Sequence, residues 1–419
     1  MPPEPKEEQG HEEQPPKPPG VTYPEGGTKA WLNVLGTWCV MFFTWGYLNA
    51  FGVYEAYYLH DFLGSYSPST IAWIGSLQLF FQFAGGVVAG PVTDRWGARI
   101  LIWPFSILYV VSVMLTSICK KYWQFILVQG ALGGLANGLV FAPAVAVLGQ
   151  YFQRRRAVAL GIASSGSSLG GVIFPVMLDL MIFHTPLGFG WAVRIVGFLV
   201  LGLVLTACVT IIPRLPPRKG KYLLIHAFKN PIYSIQVAGL FLVWLGLFTP
   251  FFYLPSYSES KGLSFDLALT TIAILNAGSL VGRLSSEPLA KHLGRFNLLL
   301  MGICACGILV FCWLRVSSIG AICAFAALYG AASGFVIALF PTTLADVAPH
   351  PSEIGSYVGM ALGLYGIAGL TGTPITGAMI AHYGGYSEAT IFSGCVVMAG
   401  TALLLYARLI FVIDRGWKV

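Results

Sequence analysis

Charge is what this chain has least of. Only 10% of its 419 residues are Asp, Glu, Lys or Arg, while 56% are hydrophobic and the mean hydropathy is +0.74. Soluble domains carry about 25% charged residues. A soluble enzyme or binding module is therefore excluded, and the chain reads as an integral membrane protein. Further absences narrow the function. No Gly-x-x-x-x-Gly-Lys-Ser/Thr loop occurs, which argues against ATP-driven pumping. No Asn-x-Ser/Thr sequon occurs, so N-glycosylation is not expected. His, Asp and Glu are too sparse inside the apolar segments to converge on an intramembrane active site, so neither an enzyme nor a cofactor is expected. The eight cysteines fall mostly within apolar runs without metal-ligand spacing, read as packing residues, and imply no metal. The formal charge of +7 is spread over loop after loop, so no nucleic-acid partner is expected. No basic stretch leads into an apolar run at the amino terminus, so the first spanning helix is expected to serve as the targeting signal rather than a cleaved peptide.

What the chain does have is apolar length. Residues 1–29, rich in Pro, Glu, Gln and Gly, are read as a disordered cytoplasmic tail. Twelve segments follow, near 30–57, 70–92, 99–119, 124–149, 157–182, 191–212, 236–257, 267–290, 297–315, 319–341, 355–381 and 387–411. Each is long enough to cross about 30 Å of hydrocarbon. The fold class is all-α, with twelve transmembrane helices in two six-helix halves. The amino-terminal half spans 30–212 and the carboxyl-terminal half 236–412. A basic, Pro-rich cytoplasmic linker, 213–235, joins them, and a short cytoplasmic tail, 413–419, closes the chain.

Orientation follows from lysine and arginine. Between segments four and five stands Tyr151-Phe152-Gln153-Arg154-Arg155-Arg156. Arginine is costly in hydrocarbon, so this triplet marks a water-facing edge. Arg95, Arg99, Arg214, Arg218, Lys219, Lys221, Lys229, Lys291 and Arg295 fall in loops on the same side, whereas the other side holds only Lys120, Lys121, Lys261 and Arg315. The positive-inside rule then places both termini in the cytoplasm, and a multi-pass protein of the plasma membrane is expected. Two similar halves predict a small-molecule site between them near the bilayer midplane.

Two stretches carry family resemblance. Gly90-Pro-Val-Thr-Asp94-Arg95-Trp-Gly97-Ala-Arg99 resembles the helix-two/three loop signature of the major facilitator superfamily. That resemblance implies that Asp94 gates transport by contacting the start of helix eleven; an ordinary turn with a basic anchor gives the same residues. A weaker repeat stands in the second half, Gly278 to Arg295, with Lys291 where an acidic residue is usual. Tyr151, Phe152, Arg154, Arg155, Ala159, Gly161, Gly166 and Gly170 resemble the helix-four/five signature of the monocarboxylate porter family. The run Glu25-Gly26-Gly27-Thr-Lys-Ala-Trp31 looks like a second signature of its fungal members. The resemblance covers about 30–412. It implies alternating access, work as a monomer in the lipid bilayer, and a monocarboxylate-like solute with proton coupling left open. The proton and carboxylate residues of the animal members are missing at two of three positions: Val53 and Ser279 stand where a lysine and an aspartate are usual. Export of a larger neutral metabolite, such as a riboflavin-like or secondary-metabolite solute, is the alternative. A non-transporting nutrient sensor on the same fold is the third reading.

The substrate-path candidates are Arg283, Ser279, Asn276, Asn49, Asn137, Tyr253, Tyr329 and Glu55. Arg283 is a cation well inside an apolar segment, which makes it a candidate anion contact. An ion pair with Glu287, four residues on, is the plain alternative. Asp179 and Arg194 are expected to pair at the outer edge. Glu55 is either a proton site or a side chain reaching water beyond helix one.

Overall fold

The computed structural model describes residues 23–152, 155–214, 224–348 and 354–415. Arg154 and residues 215–223 of the linker lie outside them, and of Asp94 only the backbone is described. Among the described residues there are no strands, and twelve helices are long and apolar enough to cross a membrane. They are α1 (Thr28–Phe62), α2 (Pro68–Trp96), α3 (Arg99–Thr116), α4 (Tyr122–Leu148), α5 (Arg156–Phe183), α6 (Gly188–Thr210), α7 (Pro231–Ser260), α8 (Phe265–Leu293), α9 (Arg295–Trp313), α10 (Ile319–Ala345), α11 (Ile354–Tyr383) and α12 (Ser387–Arg415).

Local chemistry sets where these helices begin and stop. Ser67 caps α2 by accepting from the Thr70 amide, with Pro68 in the first turn. Asn230 caps α7 by accepting from the Ile232 and Tyr233 amides, again just before a proline. A short polar side chain and a proline together satisfy or remove the unpaired amides of a first turn. The helices α2 and α8 both end on a glycine in the left-handed region, Gly97 at φ 85° and Gly294 at φ 87°. Only these two glycines of the loop signature and its repeat are demanded by backbone shape. Gly90 sits inside α2 with open space around it, and the helix runs four residues beyond its expected end at 92, to Trp96.

Two helices are broken near their middles. In α1 a π-helical turn, Phe42–Gly46, leads to a break at Ala50, where ψ is −1°. In α7 the break is at Phe248, before Pro250. Proline removes a helix amide, and a neighbouring group must then take the freed carbonyl in a medium without water. At the next carbonyl along this break, the Tyr329 hydroxyl of α10 donates to Leu247 at 2.7 Å.

Between the first six helices and the last six, α2 packs most extensively on α11, and α5 on α8. Within each set α2 packs on α4 and α8 on α10. The last contact is backbone against backbone: a Cβ added at Gly282 would strike the Ala331 carbonyl. Small residues permit this approach and lipid offers no competing hydrophobic drive, so close packing is the main attraction.

Candidate functional site between the two helix sets

The breaks in α1 and α7 face one another. Leu48, Asn49, Phe51 and Gly52 line one side of a central cavity and Phe248, Phe251 and Phe252 the other. Its volume is ≈ 10 Å³, room for about one water. The centre is therefore almost filled by side chains. Aromatic rings fill it across the two sets: Phe51 meets Phe252 at 5.4 Å and Phe83 meets Trp244 edge-on at 5.1 Å. Trp45 joins Phe83 and Phe141, and Trp244 joins Phe340 and Tyr365. A larger recess, ≈ 390 Å³, lies away from this centre against α7, with Phe228, Phe241, Leu364 and Leu403 in its wall and no charged side chain.

Polar groups cross the aromatic centre at three levels. At the middle, Asn49 of α1 donates to Asn276 of α8 at 3.0 Å. The bare Gly171 backbone of α5 lies against both amides, and a Cβ there would strike Asn276. Toward the end where α5 begins, Arg283 is 2% exposed. Its Nη1 donates to the Ser164 carbonyl of α5 at 3.2 Å and also to the Ser167 hydroxyl. Its Nε is enclosed without an acceptor. Ser279 lies one turn from Arg283 on the same helix, fully buried, with no partner for its hydroxyl. Toward the opposite end, Glu55 of α1 is 5% exposed and its Oε2 accepts no hydrogen bond. The phenols of Tyr253 and Tyr386 lie within electrostatic reach of it.

Three expectations are corrected here. Arg283 does not pair with Glu287: that carboxylate reaches Arg295 at 3.5 Å, and Arg283 turns across to α5 instead. Serine oxygens at the α5 interface are closer than a carboxylate one turn along the same helix. Arg194 does not pair with Asp179; its Nε donates to Ser117 at 3.1 Å and its guanidinium covers the Trp191 ring. Glu55 does not reach water, because α1 continues to Phe62 and carries it beneath the surface.

The other candidates separate. Asn137 of α4 donates to Gln82 at 3.1 Å, inside the first helix set. The Tyr253 hydroxyl donates to the Thr373 carbonyl of α11 at 2.8 Å, inside the second helix set. The two stretches read as monocarboxylate-porter signatures touch each other. The Arg155 amide donates to the Glu25 carboxylate at 3.0 Å, the Glu25 amide donates to the Tyr151 carbonyl at 3.0 Å, and Trp31 meets Phe152 edge-on at 5.5 Å. Gly166 and Gly170 press on the Trp38 and Phe42 carbonyls of α1, so a Cβ at either would collide. Ala159 is buried beside them, while Gly161 meets open space. At the loop signature, Arg95 covers the Trp96 ring, and Arg99 opens α3.

The family model of the Major Facilitator Superfamily matches residues 32–350. The chain belongs to the major facilitator superfamily. Among similar proteins is the aspyridones efflux protein apdF of Emericella nidulans, 46% identical over 403 residues, which cover 96% of this chain and 82% of that protein. The MFS-type transporter pynF of Aspergillus niger is 44% identical over 397 residues, 93% of this chain and 91% of the relative. The agnestins efflux protein AgnL12 of Paecilomyces divaricatus is 38% identical over 398 residues, 94% and 90% of the two chains. This facilitator is therefore a membrane transporter. The broader half of the family reading stands; a specific kinship with monocarboxylate porters is not what these relatives' names describe.

Proposed function

We propose that this facilitator exports an apolar, ring-containing organic metabolite by alternating access. The observation that carries the reading is the centre itself: an aromatic-walled site between broken α1 and α7, crossed by neutral amides. Such walls recognise flat or greasy solutes by stacking and dispersion rather than by charge. Relatives named for efflux of aspyridones and agnestins support export. Val53 and Ser279, standing where the animal monocarboxylate porters carry a lysine and an aspartate, weigh against a small carboxylate.

The two halves, 30–212 and 236–412, rock about the central site, with both termini cytoplasmic and the protein working as a monomer in the plasma membrane. Opening toward the cytoplasm parts Arg283 from Ser164 and Ser167. Opening outward parts the aromatic contact of Phe183 with Phe265. Asp94 steadies the cytoplasmic gate. Glu55 couples transport to protons. A carboxylate buried without a partner is costly while charged, so proton arrival and departure at Glu55 bias which way the site faces. Asn49, Asn276 and Tyr329 orient the solute's polar groups.

One observation favours a second reading. Arg283 is a buried cation with an unfilled donor at Nε. A carboxylate solute entering from the cytoplasm would meet it. The two readings separate in sealed inside-out vesicles holding the purified protein. Export of a neutral ring compound predicts saturable uptake that lactate and pyruvate do not compete. Carboxylate transport predicts competition by both, lost in Arg283→Gln.

A further inference from the structure

At the carboxyl end of α5, away from Arg283, α5 and α8 come together through a second polar cluster that the transport reading does not use. His184 caps the carboxyl end of α5, its amide held by the Leu180 carbonyl at 3.1 Å. Its Nε2 lies 3.3 Å from Oδ1 of Asp266, in the first turn of α8. Asp179, one turn earlier on α5, completes the group. One ligand-type atom from each of the three residues lies within 4.8 Å of the others. The Asp179 Oδ1 is enclosed and accepts no hydrogen bond, although an imidazole and a second carboxylate stand beside it. The His184 and Asp266 side chains are 41% and 62% exposed, so the remaining side of the cluster is open to water.

We propose that Asp179, His184 and Asp266 form a binding site for a divalent cation of the zinc type, and that the bound ion clamps this end of the transporter shut. One imidazole nitrogen and two carboxylate oxygens are a recurrent zinc donor set, with bonds of about 2.0–2.2 Å and water in the open position. Small side-chain rotations draw the three atoms onto one ion. The ion also relieves the crowding of two carboxylates. The clamp follows from topology: Asp179 and His184 belong to the first helix set and Asp266 to the second. Alternating access has to separate them, so an ion held by all three opposes outward opening. The flux consequence rests on the transport reading above; the binding does not.

The test uses the full-length protein in detergent micelles, stripped with EDTA and desalted, with zinc chloride added during isothermal titration. We expect one site with micromolar affinity, weakened at least tenfold in Asp266→Asn and in His184→Gln. His60→Gln is the control. His60 and Glu259 form a second pair across the two sets, 4.0 Å apart, but offer only two ligands, and that variant is expected to bind as the parent does. The same zinc concentration is expected to slow flux in proteoliposomes at least fivefold, with recovery on EDTA and no slowing in His184→Gln. Equal binding by the parent and both site variants, or no saturable binding by any, overturns the site. Binding that leaves the flux of an active preparation unchanged overturns the clamp. A preparation without any flux counts against the transport reading and leaves the titration to decide the site.

Discussion

Two residues carry opposite charges into the membrane interior and meet opposite fates. Arg283 donates from Nη1 across the helix-set boundary to Ser164 and Ser167, with its Nε left unpaired. Glu55 is enclosed without that compensation. Arg283→Gln is expected to reduce transport at least tenfold while the protein still reaches the membrane, because the contact it loses belongs to one closed end and not to the fold of either set. Vesicle flux against surface-protein quantity checks this. Glu55→Gln is expected to abolish stimulation by a proton gradient yet preserve solute counterflow, which needs no net proton movement. That both residues matter was visible in the sequence, since ionisable groups in apolar segments stand out. Their partners were not visible. Glu287 lies at helical spacing from Arg283, and sequence spacing sees neighbours along one helix but not serines on a helix more than a hundred residues away.

At the scale of the helix, hydropathy made the number and type of the spans legible because bilayer thickness fixes their length. The proline and polar caps at Ser67 and Asn230 mark the starts, and Gly97 and Gly294 the stops. The breaks in α1 and α7 were less legible: Pro250 signals one, but no residue type announces the change at Ala50. Nor does a chain that is apolar on every side show which helix face meets which neighbour. The glycine spacing did announce close packing, and Gly282 shows its cost when altered. Gly282→Ala drives a methyl group into the Ala331 carbonyl and is expected to destabilise the protein by about 1–3 kcal/mol, the usual range for overpacking. Thermal unfolding in detergent measures it; an unchanged transition temperature would mean α8 and α10 separate more readily than their contact suggests. Asp94→Ala is expected to slow transport while leaving that transition in place. The contact between Glu25 and the Arg155 amide was wholly hidden, because two recognisable stretches 130 residues apart give no sign of touching.

For the whole molecule, closure at both ends around an aromatic centre is the state from which either opening begins. α2 with α11 and α5 with α8 form the surfaces along which the two sets meet. Composition alone established a membrane protein, and the two-half pattern with its loop signature pointed to a transporter; the proposed character of the solute rests on Phe51 and Phe252 at the cavity and on Phe83 against Trp244 across the same boundary. The most direct test of the account is uptake by inside-out proteoliposomes of a labelled neutral ring compound and of labelled lactate, each with and without a proton gradient. The account predicts saturable, gradient-stimulated uptake of the ring compound that excess lactate leaves unchanged. Gradient-driven lactate uptake, with the ring compound neither carried nor competing, would contradict it.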